Sequence, residues 1–180
     1  GTFCSKRERQ KKKNYVANRV ERMDQSMICL PSDVKTALEK TNFIKRYEML
    51  SNTFNGERTP LNERLRYIDG EIVLDSLAQL GYKAHFESKE KYFWIEEVQI
   101  GTYTFSGNMI LDGGLVDIVW IVKENGNLIL GLPIGEYSRL MIAPNYKIKK
   151  PMFGTYEDLD EIVESVFKLF EDFKKAMTAS

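Results

Sequence analysis

The stretch that decides the fold is residues 115–134, which read LVDIVWIVK, then ENGN, then LILGLPI. Asn125 and Gly126 stand between two apolar runs. A two-residue type I′ turn needs positive φ at both central positions, and these two residue types tolerate it. The stretch therefore predicts a β-hairpin. Apolar side chains occupy both faces of its first arm, so we expect a central strand covered on both sides.

Helical patterns come before this hairpin. Pro31 and Ser32 mark a helix start with Ser32 as the N-cap, and apolar residues recur at helical spacing to about residue 50. A polar loop follows over residues 51–58. Pro60 then occupies the first position of a second predicted helix, which Gly81 ends.

Strands and a final helix complete the predicted fold. After Tyr82 the apolar residues recur at every second position, which predicts a first strand that ends at residue 87, a second over 92–100 and a third over 102–111. A further short strand is predicted over 137–142. Thr155 caps a last helix with a wide apolar face. This order predicts an α+β fold: N-terminal helices, an antiparallel meander of about five to six strands, and a C-terminal amphipathic helix packed on the sheet.

Charge is distributed unequally along the chain. The net charge is zero, but residues 1–26 hold eight Lys and Arg against three Asp and Glu, a net of +5, which leaves −5 for the remainder. We therefore predict a basic N-terminal arm over residues 1–26, helical in part or disordered, and a single α+β domain over residues 27–180. The arm is a candidate contact for phosphates through Lys6, Arg7, Arg9, Lys11, Lys12 and Lys13. It has no aromatic residue between Phe3 and Tyr15 on which bases could stack, so a solvated charge run is the simpler interpretation.

The sequence also gives expectations about the cellular compartment of the protein. No apolar run approaches the roughly 18 residues of a membrane span. The basic run after Lys6 is not followed by the apolar core of a signal peptide, so we expect that none was present or that it was removed. Cys4 and Cys29 are interpreted as free thiols of a cytoplasmic protein. A disulfide between them, or lipid attachment at Cys4, is the alternative.

The chain offers few groups for catalysis. His85 is the one histidine, so a familiar zinc site cannot be assembled, and we expect no metal and no cofactor. It lies on a predicted strand with no nucleophile-elbow sequence nearby, which favours a surface histidine. Glu96 and Glu97 are adjacent on a strand and should face opposite sides, so only one of them could enter a cleft.

One short pattern suggests an enzyme. Glu87-Ser88-Lys89 resembles the E-x-K element of restriction-endonuclease-like nucleases, in which carboxylates bind a divalent metal and the lysine helps to position water. The partner aspartate should arrive on a neighbouring strand. Asp69 and Asp75 lie instead in a predicted helix, and Asp112 lies at a turn. A metal-dependent nuclease that uses Glu87 and Lys89 is therefore an alternative hypothesis.

The stronger hypothesis is a protein that works by its surface. Amphipathic aromatic residues and acids alternate along the predicted strands, and such a face suits a basic protein partner. The predicted partner-binding residues are Tyr92, Trp94, Glu96, Tyr103, Asp112, Asp117 and Tyr137.

From about Pro31 to Met177 the chain resembles bacterial immunity proteins, small α+β inhibitors that neutralise a cognate secreted toxin. The resemblance covers the helical pair, the meander that ends in VDIVWIVKENGNLILGLP, and the closing helix YEDLDEIVESVFKLFEDF. It implies a non-enzymatic mechanism in which an acidic face covers the active cleft of the toxin, often a basic nuclease. A nucleic-acid-associated protein that uses the basic arm is the main alternative.

Overall fold

The structure, a computed structural model, describes residues 29–179. The predicted α+β fold is confirmed: five strands form one antiparallel sheet in the order β1-β2-β3-β4-β5, and a long helix closes the chain. The basic arm lies outside the described residues. The elements are α1 Ser32–Lys40, α2 Phe43–Thr53, α3 Gly70–Gln79, β1 Ala84–Glu87, β2 Tyr92–Ile100, β3 Tyr103–Asp112, β4 Leu115–Glu124, β5 Asn127–Pro133, α4 Tyr137–Met141 and α5 Tyr156–Thr178.

The β4–β5 hairpin forms where it was predicted. Asn125 and Gly126 have φ values of 50° and 78°, as a type I′ turn requires, and Glu124 pairs with Asn127 across the turn. On its other side, β4 pairs with β3 without interruption from Tyr103 opposite Glu124 to Asp112 opposite Leu115. This ladder fixes which residues of β3 and β4 share a face.

The core lies between one face of the sheet and the helices. Every second residue of β4 points into it and is buried, and the indole of Trp120 is only 1% exposed. The rings of Phe170 and Phe173 on α5 lie 5.0 and 5.1 Å from that indole. The predicted packing of the C-terminal helix on the sheet is therefore confirmed. The alternate residues of β4, such as Val119 and Ile121, are only half-buried, so the structure buries one face of β4 completely rather than both.

Helix α5 begins at the predicted cap. The hydroxyl oxygen of Thr155 accepts a hydrogen bond from the backbone N–H of Asp158 at 3.1 Å. The carboxylate of Asp158 does not complete a capping box. It accepts instead from Nε of Arg58 at 2.9 Å, which ties the loop after α2 to the start of α5.

The helix predicted from Pro60 is interrupted. Only a single 3₁₀ turn, Leu61–Glu63, forms after this proline, and α3 begins at Gly70, ten residues after Pro60. Asp69 is the true cap, because its carboxylate accepts from the backbone N–H of Glu71 at 3.0 Å. The predicted cap Ser32 is likewise inside its helix, with Pro31 at the N-cap and no side-chain cap bond.

The strand predicted over residues 137–142 is wrong. Pro133 ends β5, a 3₁₀ turn follows over Ile134–Glu136, and α4 begins at Tyr137. The ring of Tyr137 is fully buried against Phe43, with ring centroids 5.3 Å apart, and its hydroxyl donates to the carbonyl of Leu132 at 3.3 Å. A helical turn at Tyr137 directs this ring into the core, and its burial there favours the helix over a strand.

Two findings bear on the predictions about compartment. Cys29 is disulfide-bonded, so the free-thiol interpretation is wrong for this residue. Between residues 29 and 179, no helix has both the length and the apolar composition needed to span a membrane.

Candidate protein-binding surface

The sheet face that points away from the core, here called the outer face, carries most of the predicted contact residues. Register defines it: His85 pairs with Trp94, Trp94 with Asn108, and Asn108 with Val119, in one row across four strands. Paired residues of neighbouring strands share a face, and residues two apart along a strand do so as well. The outer face therefore includes His85, Tyr92, Trp94, Glu96, Glu97, Asn108, Asp112, Asp117, Val119, Ile121 and Lys123.

An aromatic pair lies at one end of this row. The indole of Trp94 is 36% exposed and stacks on the imidazole of His85, with ring centroids 4.4 Å apart and planes 27° apart. Tyr92 lies two residues along the same strand and is half-buried. The stack on His85 therefore restricts the orientation of a Trp94 ring that stays partly exposed.

A β-bulge changes the face of one acidic residue. The ladder between β2 and β3 pairs Ile95 with Gly107 and Val98 with Phe105, so two residues of β2, 96 and 97, stand opposite one residue of β3. A bulge inserts an extra residue and interrupts strict alternation. The expectation that Glu96 and Glu97 face opposite sides is therefore wrong.

Two ion pairs place both glutamates on the outer face. Oε2 of Glu96 lies 3.1 Å from Nε2 of His85, and Oε1 of Glu97 lies 2.7 Å from Nζ of Lys123. Both partners belong to the outer face by register. All four side chains are between 38% and 49% exposed, so these pairs are solvated and contribute little to stability. Their carboxylates remain accessible to a cation on another molecule.

Two further carboxylates extend the acidic character along the face. Asp117 of β4 pairs with Nζ of Lys150 at 3.2 Å, and Asp112 is exposed at the end of β3. Together with Glu96 and Glu97 they set four carboxylates against Lys123 and Lys150. The outer face therefore combines an oriented aromatic pair with a surplus of negative charge.

Two predicted contact residues do not belong to this face. Tyr137 is 0% exposed, because it lies in the core at the start of α4, and the prediction that it is exposed is wrong. Tyr103 shares the core face with Phe105, and its hydroxyl donates to Oδ2 of Asp33 at 2.9 Å. Burial and this hydrogen bond raise the pKa of Tyr103 to about 12, so the hydroxyl stays protonated.

The carboxylates proposed for nuclease chemistry have structural hydrogen bonds. Glu87 accepts a hydrogen bond from the backbone N–H of Glu90 and closes the β1–β2 turn, while Asp69 caps α3. Within residues 29–179 there is no group of three or more His, Cys, Asp or Glu side chains that could hold a metal ion. His85 is a surface residue, as the sequence predicted.

The sequence interpretation missed a second surface feature. Residues 61–68 form one wall of a groove of about 930 Å³, and the Gly113-Gly114 turn and Phe153 form another. The helix predicted from Pro60 to Gly81 had included residues 61–68. Asp69 followed by Gly70 was the available signal, since an Asp N-cap there starts the helix later and leaves residues 61–68 outside it.

Comparisons with protein-family models, with curated proteins and with solved structures found no match to this chain.

Proposed function

We propose that this chain is a non-enzymatic protein-binding domain, an immunity-type inhibitor that occludes a cognate bacterial toxin. The observation that carries the proposal is the composition of the outer face, where Trp94 stacks on His85 beside the carboxylates of Glu96 and Glu97. Aromatic anchors with a complementary charge pattern are what protein interfaces favour.

The charge of the outer face suggests the chemistry of the partner. Its carboxylates form solvent-exposed pairs that a partner's lysine or arginine can replace at small cost. A basic surface, such as the substrate cleft of a toxin that acts on nucleic acid, fits this pattern. Occlusion requires no reaction on the inhibitor.

The test has two steps. First, the immobilised 180-residue chain captures its partner from the host. The activity of the purified partner is then measured with increasing amounts of the chain. We expect inhibition that saturates at an equimolar ratio. Trp94→Ala should weaken binding by about 2 kcal/mol or more, about thirtyfold. Glu96→Lys with Glu97→Lys should weaken it as well, and more at low salt than at high salt.

A matched control carries the same charge change elsewhere. Glu161 and Glu164 are exposed on α5, the helix that packs on the opposite face of the sheet. Glu161→Lys with Glu164→Lys should leave inhibition unchanged. Equal loss in both double variants, or a partner whose activity the chain does not alter, would contradict the proposal.

The second candidate function is nucleic-acid association through the basic arm, favoured by the net charge of +5 in residues 1–26. It predicts binding that weakens steeply with salt and that disappears when the arm is neutralised in the intact chain. The variant replaces six residues with glutamine: Lys6, Arg7, Arg9, Lys11, Lys12 and Lys13. If partner inhibition survives this change, the arm is not part of the inhibitory mechanism.

A further inference from the structure

The groove beside residues 61–68, here called the arginine groove, is held in shape by backbone contacts. The N–H of Leu65 donates to the carbonyl of Gly154 at 2.8 Å, and the N–H of Asp69 donates to the hydroxyl of Tyr156 at 2.9 Å. On the opposite wall, the N–H of Phe153 donates to the carbonyl of Gly114 at 2.8 Å. Both walls are therefore anchored, and the groove exists before any ligand enters.

The apolar side chains at this groove are unusually exposed. Tyr67 is 87% exposed and Leu61 is 79% exposed, the two highest values among the large hydrophobic side chains of the described residues. Both line the same groove, together with the apolar side chains of Leu65, Ile68 and Phe153. Single exposed apolar residues are ordinary, but two that line one groove suggest a surface suited to binding.

The charge at this groove is opposite to that of the outer face. Among the described residues, Arg64 and Arg66 line it and no Asp or Glu does. Nε of Arg64 donates to the carbonyl of Thr59 at 2.9 Å, and its Nη2 donates to the carbonyl of Gly56, so two backbone carbonyls hold this guanidinium in place. Arg66 is exposed and has no ion pair with any other residue of the described part of the chain.

We propose that the arginine groove binds a segment of a partner protein in which apolar and acidic side chains adjoin. The apolar side chains of the partner would pack against Leu61 and Tyr67, and a carboxylate would pair with Arg66. The volume of about 930 Å³ is near the upper end of the range for ligand pockets, about 300–1,000 Å³, which accommodates several side chains. A single-stranded nucleic acid fits less well, because it would need successive exposed aromatic platforms. Of the two aromatic residues that line the groove, Tyr67 is exposed but Phe153 is buried.

This inference does not depend on the proposed function, because it concerns a different surface with the opposite charge. A basic segment suited to the outer face would be repelled at the arginine groove. Failure of one proposal therefore leaves the other intact.

The test measures fluorescence anisotropy of short labelled peptides in which leucine and phenylalanine alternate with glutamate, with lysine or with serine. The full-length chain should bind the glutamate peptide saturably and the lysine peptide at least about tenfold more weakly. Arg66→Glu should reduce binding of the glutamate peptide at least about tenfold, and Tyr67→Ser should reduce it severalfold. Lys45→Glu, at an exposed lysine of α2, is the matched control and should bind normally.

Both altered side chains are exposed, so the variants should fold, which an unchanged melting temperature would verify. The inference is overturned if the glutamate and lysine peptides bind equally, if the glutamate peptide does not bind, or if Arg66→Glu and Lys45→Glu behave alike. Tighter binding of an oligothymidylate than of the glutamate peptide would overturn it in favour of a nucleic-acid site.

Discussion

A charged network at α5 shows how a single residue links stability to pH. Lys174 is 5% exposed, pairs with Glu171, and lies 5.0 Å above the ring of Phe170 and 5.3 Å above that of Tyr82. The hydroxyl of Tyr82 donates to the same carboxylate. Burial would raise the pKa of Glu171, but the hydrogen bonds from Lys174 and Tyr82 outweigh it and lower the pKa below the usual 4.5.

This shift predicts acid sensitivity. A carboxyl group with a lower pKa in the folded state stabilises the fold above its unfolded pKa, and that stability is lost as the pH falls through the folded value. Glu171→Gln should therefore lower the free energy of unfolding near neutral pH, and the difference from the wild type should shrink below about pH 4.5. Urea unfolding over a pH series measures this. A difference that does not change with pH would contradict the assignment.

A glycine in β3 allows the sheet to pack closely at Trp120. Gly107 pairs with Trp120, and a Cβ atom built on Gly107 would lie 2.9 Å from the carbonyl oxygen of Val119. Since backbone cannot move aside cheaply, Gly107→Ala should destabilise the fold by about 1–3 kcal/mol. Thermal denaturation measures the loss.

The control for this substitution is Gly56→Ala. A Cβ there would meet only the flexible side chain of Met152, with Sδ at an ordinary 3.5 Å, and Gly56 has no positive φ. The free energy of unfolding of the Gly56→Ala variant should differ from that of the wild type by less than about 0.5 kcal/mol. Equal melting temperatures for the two variants would mean that the close approach at Gly107 is relieved in solution.

At the level of elements, the bulge in β2 predicts an unusual tolerance. Deleting Glu97 would bring the two registers of the β2–β3 ladder into line, because one extra residue separates them. The sheet should therefore keep its fold, with a melting temperature within a few degrees of the wild type. Partner binding should fall, since the outer face loses a carboxylate.

Deleting Ser106, the β3 residue opposite the bulge, is the contrasting variant. It lies in an uninterrupted ladder with β4, where it pairs with Ile121. A one-residue slip there would turn the core side chains of half a strand outward, so this deletion should unfold the domain. Circular dichroism separates the two outcomes, and unfolding by both deletions would refute the structural role given to the bulge.

Local chemistry explains which elements were predictable from sequence. Asn125-Gly126 and the Thr155 cap were identified correctly because each signal acts within a few residues. The helix predicted from Pro60 failed because Asp69 supplied a competing cap, and the strand at Tyr137 failed because the core required that ring. The bulge at Glu97 left no sequence signal that short-range patterns detect.

For the whole molecule, the order of elements sufficed to predict the α+β meander, whereas the binding surface needed the register. Five of the seven predicted contact residues lie on the outer face: Tyr92, Trp94, Glu96, Asp112 and Asp117. Tyr103 and Tyr137 do not, because tyrosine is equally suited to a core that satisfies its hydroxyl. The arginine groove arises from three distant parts of the chain, which no local pattern joins.

The outer face and the arginine groove give the molecule two surfaces of opposite charge. They flank the β3–β4 turn, where Asp112 belongs to the outer face and Gly113 lines the groove. A partner that covers the outer face but not the arginine groove would leave Arg66 and Tyr67 exposed.

The most direct test of the central claim is hydrogen–deuterium exchange of the full-length chain with and without its purified partner. If the chain inhibits by occlusion through the outer face, amides of β2 around Trp94 and the bulge should gain protection in the complex, while those of α5 should be unchanged. Protection confined to α5, with β2 exchanging as in the free protein, would contradict the account.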